Sequence, residues 1–139
     1  MRPRVYVDTS AYLCVLLGEE GAAAIAKGMR NARLCSSVLL VLESRRNLVR
    51  LARGGQLAAN RLNDLLDRIQ LDVEAFSLRD LTLDLCQDPS LPPVATPRSL
   101  DLAHLRTALW FHRREALDRF LTRDEGQREA ARELGLPTA

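Results

Sequence analysis

The chain has a single lysine, few aromatic residues and no apolar segment long enough to cross a membrane. Aromatic side chains make up only 4% of it, too few for a surface that stacks nucleobases. Cys14, Cys35 and Cys86 form no Cys-x-x-Cys or Cys/His pattern, which argues against a zinc site or a disulfide framework. No apolar run approaches the roughly 20 residues that span a bilayer. We therefore expect a cytoplasmic protein whose cysteines are buried free thiols.

The composition is that of one folded domain. A chain of 139 residues, 47% of them hydrophobic, can bury a stable core without disulfide bonds or structural metal ions, so we assign residues 1–139 to a single domain. The net charge is only +2, yet every basic residue except Lys27 is an arginine. Because arginine can bind phosphate oxygens bidentately, this surface permits a nucleic-acid partner without requiring one.

The first ten residues combine a short buried strand with a carboxylate at its end. Val5–Val7 is β-branched and aromatic and predicts a strand, and Asp8 follows it directly. Thr9 or Ser10 is expected to cap the next helix. Ligands of parallel α/β sheets bind beyond the carboxyl ends of strands, so Asp8 is a candidate site residue. The alternative is that Asp8 only caps the helix.

Further strands and helices alternate along the chain. Strands are predicted at 33–36, 73–76 and 119–122, and helices at 11–17, 19–31, 38–53, 56–71, 78–86, from 99 onward and at 124–134, with a proline-rich loop at 88–97. Such alternation predicts an α/β fold in which helices cover both faces of a mostly parallel sheet.

Three more acidic residues occupy positions comparable to that of Asp8. Glu43 lies one to two turns into its helix, Asp101 lies in the first turn of another, and Asp124 follows the fourth strand. Each has a local explanation as well: an ion pair with Arg46 for Glu43, and a helix dipole or cap for the two aspartates. If the first and fourth strands adjoin, Asp8, Asp101 and Asp124 converge, and Glu43 can reach them. We assign His104, three residues after Asp101, to packing or hydrogen bonding rather than to metal binding.

These motifs, in this order, resemble the PIN domain. The resemblance rests on Val-Asp-Thr-Ser at 7–10, on Glu43, on Leu-Asp-Leu-Ala-His-Leu-Arg-Thr-Ala at 100–108, and on the segment 121–137. It is strongest to the VapC-type toxin ribonucleases of bacterial toxin–antitoxin pairs. The resemblance implies a PIN-like α/β/α sandwich. Because the segment after Leu136 is short, we expect the family's last edge strand to be missing or frayed. It places the metal-site acids on Asp8, Glu43, Asp101 and Asp124, and supporting residues on Thr9, Ser10 and Thr122.

The chemistry of four clustered carboxylates agrees with this resemblance. Carboxylates held together repel one another unless a cation is present, and oxygen ligands suit Mg²⁺ or Mn²⁺. Such an ion can activate a water for attack on a phosphodiester. We therefore expect a metal-dependent endoribonuclease, with Asp8 and Asp101 as first ligands, Asp124 as a further ligand or water-positioner, and Glu43 as a water-bridged contact or general base. The alternatives are a catalytically inactive PIN-like binding module and a phosphatase with Asp8 as nucleophile.

Three kinds of partner follow from this assignment. Arg46 and Arg50 share one helix face with Glu43 and are candidates to contact the RNA backbone. The apolar stripe of the helix at 56–71, together with Trp110 and Phe111, offers surface for a homodimer and for an antitoxin helix.

Overall fold

The structure, a computed structural model, describes residues 1–95 and 98–138. Its strands are β1 (Arg4–Val7), β2 (Arg33–Ser37), β3 (Phe76–Arg79) and β4 (Arg119–Leu121). Its helices are α1 (Thr9–Leu17), α2 (Ala22–Met29), α3 (Leu39–Arg53), α4 (Ala59–Glu74), α5 (Leu83–Gln87), α6 (Ser99–Arg114) and α7 (Glu125–Glu133). Part of the predicted proline-rich loop, Thr96 and Pro97, lies outside the described residues.

The four strands form one parallel sheet in the order β3-β2-β1-β4. Successive residues of a strand point to opposite faces, and β1 shows this directly. Tyr6 packs on one side with residues of α6 and α7, whereas Val5 and Val7 pack on the other with residues of α1, α3 and α4. The predicted α/β/α sandwich is therefore confirmed. The first and fourth strands are neighbours, as the convergence of the acidic residues requires.

Several predicted element boundaries are wrong. The helix predicted at 78–86 begins only at Leu83, because Leu78 and Arg79 belong to β3. The predicted strand at 73–76 is displaced because α4 continues to Glu74, and β3 begins only at Phe76. Val73 lies one helical turn beyond Ile69 and extends the same buried stripe, so helical packing outweighs its preference for a strand. The second helix begins at Ala22 rather than Glu19, because Gly21 precedes it in a left-handed conformation with φ of 87°.

The predicted cap of α1 also needs correction, and two other helices begin without a side-chain cap at the cap position. Thr9 and Ser10 do not cap α1; both lie in its first turn, and Asp8 is the cap. Ser99 is the first residue of α6, whose cap position is held by Arg98. At α3 the cap position falls on Val38, although Ser37 still accepts a hydrogen bond from the amide of Leu39 at 3.1 Å.

The apolar surface that the sequence leaves for partners is largely used inside the domain. Leu65 and Ile69 of α4 are buried, and Leu62 and Leu66 pack against the same core. Phe111 is buried as well. Phe111 and these residues of the stripe therefore pack inside the domain, which leaves less apolar surface for partners than the sequence suggests; the homodimer and the antitoxin contact stay predictions.

Trp110 is half-buried, and two arginines cover its ring. The guanidinium carbons of Arg79 and Arg114 lie 4.7 and 3.7 Å from the ring centroid, within the range of cation–π attraction. Trp110 therefore belongs to a cation–π cluster within the domain.

Three further expectations from the sequence concern the last edge strand, the cysteines and membrane-spanning segments. The amide of Phe120 donates to the carbonyl of Pro137 at 2.7 Å, so the segment after α7 runs beside β4, and the described residues add no fifth strand there. Cys14 and Cys35 are buried free thiols, but Cys86 is exposed, which corrects the expectation for that residue. Among the described residues, no helix is long and apolar enough to cross a membrane.

Candidate active site at the carboxyl edge of the sheet

All four candidate carboxylates line one cleft at the carboxyl ends of β1 and β4. Asp8 follows β1, and its amide donates to the carbonyl of Leu121 in β4 at 3.1 Å, which joins the two strand ends. Asp124 comes from the start of α7, Asp101 from the first turn of α6, and Glu43 from α3. The cleft has a volume of about 170 Å³, and its lining includes Asp8, Thr9, Ser10, Leu13, Glu43, Asn47, Arg98, Asp101, His104 and Asp124.

Asp8 and Asp124 combine a capping role with a place in the cleft. Asp8 Oδ1 accepts the amide of Ala11 at 3.0 Å and the hydroxyl of Ser10 at 2.7 Å. Asp124 Oδ1 accepts the amide of Gln127 at 2.9 Å. The local explanation considered for Asp8 is thus correct as far as it goes, yet a helix cap at the sheet edge also presents its carboxylate to the cleft. Each cap uses Oδ1 of its carboxylate.

Ser10 and Thr122 connect the two strand-to-helix corners. Their hydroxyl oxygens lie 3.2 Å apart, and Ser10 Oγ also accepts the amide of Arg123 at 2.9 Å. Thr122 Oγ1 in turn accepts the amide of Asp124 at 3.1 Å. Through these contacts the position of Asp124 depends on the corner that carries Asp8. The two residues therefore lie where the sequence expects supporting residues.

Glu43 is held by a threonine and a buried histidine. Thr9 Oγ1 donates to Glu43 Oε1 at 2.7 Å, and His104 Nε2 lies 3.0 Å from the same oxygen. His104 Nδ1 lies 2.7 Å from the hydroxyl of Tyr6 on β1. Within the described residues no ion pair joins Glu43 to Arg46, so the local explanation for Glu43 is wrong. The hydrogen-bonding role expected of His104 is confirmed, but its partners are far away in sequence, and no local pattern identifies them.

Burial and charge repulsion disfavour the charged form of two carboxylates in the cleft, Asp8 and Asp101. Burial raises the pKa of Asp8, although His104, Thr122, Ser10 and the Ala11 amide each act in the opposite direction. Burial also raises the pKa of Asp101, and the charges of Asp124 and Asp8 add to this effect, against the nearby Arg98.

The pKa of Glu43 shifts in the opposite direction, below its ordinary value. Burial by itself would raise the pKa of Glu43, but hydrogen bonds from His104 and Thr9 outweigh it, so the pKa lies below its ordinary value. The fold therefore favours the charged form of Glu43, whereas it disfavours the charged forms of Asp8 and Asp101.

The donor set of the cleft suits a small hard cation. Its acidic side chains offer only oxygen atoms, the ligands that Mg²⁺ and Mn²⁺ prefer. Asp101 Oδ2 is buried and accepts no hydrogen bond among the described residues, and its ion-pair contact with Arg98 Nε is long, at 3.8 Å. In the described parts of the chain, no three acidic, histidine or cysteine side chains already stand in a metal-binding group. To share an ion, these side chains would therefore have to move closer together.

A second cavity adjoins the carboxylate cleft. It has a volume of about 340 Å³ and shares Ser10, Leu13 and Asn47 with the cleft. Arg50 and Arg123 line it, and Arg50 donates to Asn47 Oδ1 at 3.1 Å. The structure thus brings Arg50 next to the candidate site together with Arg123, which sequence reasoning missed. Arg46 is exposed and is not among the described residues that line either cavity.

Comparison with known families gives one match. The sequence model of a family described as the PIN domain matches residues 5–133. The matched segment begins in β1 and ends with α7, so it contains all of the sheet except Arg4, and all four candidate carboxylates. No curated protein matches the chain.

Proposed function

The chain belongs to the PIN-domain family, whose members are generally nucleases that use divalent metal ions, and from this premise we propose that it is a metal-dependent endoribonuclease. The reaction is hydrolysis of RNA phosphodiester bonds. The observation that carries the proposal is the convergence of Asp8, Glu43, Asp101 and Asp124, from four different elements, on one cleft. Helix capping alone accounts for Asp8 and Asp124, but it does not account for Glu43, which lies inside a helix and turns into the same cleft.

The four carboxylates take different roles in this proposal. Asp8 and Asp101 would be first ligands of Mg²⁺ or Mn²⁺, because their charges are the ones that burial penalises and a cation would relieve. Asp124 would be a further ligand or position the attacking water. Glu43, whose charged form the fold favours, suits a water-bridged contact or a general base. The bound ion would supply an acidified water and neutralise charge on the phosphodiester.

The arginines beside the cleft support a polyanionic substrate. Arg50 and Arg123 line the adjoining cavity, where they could bind phosphates on one side of the scissile bond. Glu19 lines the same cavity and pairs with Arg123 at 3.3 Å, so Arg123 would have to leave this ion pair to bind a phosphate. Arg46 stays a candidate contact for more distant parts of the RNA backbone, since it is exposed on α3.

We also propose that the protein is the toxin of a toxin–antitoxin pair, held inactive by a cognate antitoxin protein in the cytoplasm. The support is the likeness of the motifs at 7–10, 100–108 and 121–137 to VapC-type toxins. The cytoplasmic location is further supported by three free cysteines. Co-expression with the gene next to its own, followed by purification of a complex and loss of RNA cleavage, tests the pairing. Free and co-expressed protein with equal activity would contradict it.

A homodimer stays part of the proposal, with a different contact surface from the one expected from sequence. Leu42 and Val49 are 66% and 38% exposed and lie two helical turns apart on α3. Apolar side chains on one outer helix face are a natural contact between copies. Light scattering should find a dimer that Leu42→Glu converts to monomers; a wild-type monomer at high micromolar concentration would contradict the dimer.

The nuclease activity is tested by RNA cleavage with Mg²⁺, with Mn²⁺ and with a chelator. We expect cleavage by the wild type in either metal, none in chelator, and a loss of orders of magnitude for Asp8→Asn, which keeps size and removes charge. Equal cleavage by wild type and Asp8→Asn would refute the site. A protein that binds RNA but cleaves none under any condition would instead support the inactive binding module.

A further inference from the structure

A chain of hydrogen bonds runs from the buried sheet to the carboxylate cleft through His104. The side chain of His104 is only 3% exposed, and both of its ring nitrogens have partners. Nε2 lies 3.0 Å from Glu43 Oε1 and 3.0 Å from Thr9 Oγ1, while Nδ1 lies 2.7 Å from the hydroxyl of Tyr6. The chain therefore spans α6, β1, α1 and α3, and it ends on a carboxylate of the candidate active site.

The direction of the central hydrogen bond follows from the chemistry of its acceptor. An ionised glutamate can only accept, so the proton between Glu43 and His104 must belong to Nε2. This holds for the neutral ring and for the charged ring, because Nε2 carries a proton in both. Thr9 Oγ1 donates to the same Oε1 at 2.7 Å. With two donors on Oε1, Oε2 is the oxygen of Glu43 left to act in the cleft.

The ring of His104 is itself held in place by the core. Tyr6 is fully buried, and its ring meets that of His104 edge to face, with centroids 5.9 Å apart. Tyr6 in turn stacks on Phe120 of β4 at 5.4 Å with nearly parallel planes. A hydroxyl and two aromatic packing contacts therefore fix where Nε2 points. Rigid sheet residues thereby set the position of a flexible side chain on α3.

We infer that His104 is the positioning residue of Glu43: its Nε2–H holds Oε1, and Tyr6 fixes the ring through Nδ1, so that Oε2 is left for the task proposed for Glu43 in the cleft. This inference rests on the proposed function, since it assigns Glu43 a task in that reaction. His104 is not a metal ligand in this arrangement, because ligation needs a bare ring nitrogen and both are engaged. Without the ring, Glu43 would have to lose side-chain freedom on α3 each time it acts.

The test compares two replacements of His104. His104→Leu removes the donor and keeps bulk, whereas His104→Gln can place an amide N–H close to the position of Nε2. We expect His104→Leu to lower kcat and Mn²⁺ affinity by about 10- to 100-fold, the usual effect of losing a hydrogen-bond partner that orients a residue of a metal site, with little change in KM for RNA. His104→Gln should recover most of both. The control is His112→Gln, because His112 lies at the other end of α6, where it accepts the amide of Leu117.

A spectroscopic measurement keeps the inference testable even if a His104 variant fails to fold. The chain contains two histidines, so the slowly exchanging ring proton of the buried His104 can be assigned by comparison with His112→Gln. We expect this resonance in the wild type, and we expect Glu43→Ala to shift it upfield because the carboxylate that accepts the proton is lost. In a separate activity measurement, Tyr6→Phe should lower kcat less than His104→Leu does.

The outcomes separate this inference from the nuclease proposal. Wild-type kcat and Mn²⁺ affinity in His104→Leu, or an equal loss in His104→Leu and His104→Gln, would overturn the positioning role and leave the nuclease intact. A wild type that cleaves no RNA would overturn the nuclease, and Mn²⁺ affinities across the variants would then decide the positioning role. A wild type that neither cleaves RNA nor binds Mn²⁺ overturns both.

Discussion

Replacing Asp8 by asparagine should raise the melting temperature of the metal-free protein while abolishing its proposed activity. Asp8 is 5% exposed and caps α1 through Oδ1. Asparagine has nearly the same size, caps a helix as well as aspartate does, and keeps an oxygen for Ala11 and Ser10. The substitution therefore removes the charge and leaves the local geometry in place.

The sign of the effect follows from the raised pKa of Asp8. Burial raises this pKa more than the surrounding hydrogen bonds and His104 lower it, so the folded state disfavours the charged form. The charge of Asp8 also raises the pKa of Asp101 across the cleft. Two like charges about 4 Å apart repel by about 1 kcal/mol in water and by more in a less polar site. We therefore expect a gain on the order of 1 kcal/mol for Asp8→Asn.

This gain corresponds to a measurable shift in melting temperature. With an unfolding entropy of about 2.1 cal/mol/K per residue, 1 kcal/mol is roughly 3 °C for a chain of 139 residues. A raised acid pKa means that the unfolded chain ionises first, so the wild type loses stability as the pH rises above the ordinary aspartate value of 3.8. The advantage of Asp8→Asn should thus be full near pH 7 and shrink toward pH 4.

The assay is thermal unfolding in chelator at several pH values, with Asp64→Asn as the control. Asp64 is exposed on α4, so its substitution should change the stability by no more than about 0.5 kcal/mol. If Asp8→Asn melts lower than the wild type at pH 7, or if the difference between them does not depend on pH, then the buried charge of Asp8 is not a source of strain and the reasoning fails.

Three other results are expected. Saturating Mn²⁺ should raise the melting temperature of the wild type in calorimetry and leave that of Asp8→Asn nearly unchanged. Equal increases in the two melting temperatures would mean that the ion binds elsewhere. Arg50→Gln should weaken RNA binding by the Asp101→Asn protein more than Arg46→Gln does, and filter binding at several salt concentrations would expose the opposite order. Ser44→Ala should stabilise the protein by about 1 kcal/mol, because Ser44 Oγ is buried without a partner among the described residues; a lower denaturation midpoint would reveal a missed hydrogen bond.

The strand-to-helix corners could be read from the sequence because their signals are local. Val5–Val7 alternates across a buried sheet, and Asp8 and Asp124 each stand where an apolar run gives way to a helix. The parallel sheet follows from the alternation of elements. Their convergence, by contrast, depends on β4 pairing with β1, a contact between residues more than 110 positions apart that no local pattern specifies.

The rest of the site could not be read because its partners meet only in the folded protein. His104 looks like an ordinary helix residue until Tyr6 and Glu43 are placed on either side of its ring. Arg123 shows no pattern with Arg50, yet the two line one cavity. The strand predicted at Val73 is wrong for a similar reason. Val73 continues the buried stripe of α4, and its packing in the folded protein outweighs the preference of a β-branched residue for a strand.

The most direct test of the account is to locate Mn²⁺ by anomalous diffraction in crystals of the protein. We predict a peak in the cleft, with oxygens of Asp8 and Asp101 at about 2.1 Å, the distance typical of small hard cations, and with Asp124 as a ligand or one water away. The carboxylates should have turned from their positions in the metal-free fold. At saturating Mn²⁺, a cleft without a peak, with Asp8 and Asp124 engaged only as helix caps, would contradict the central claim.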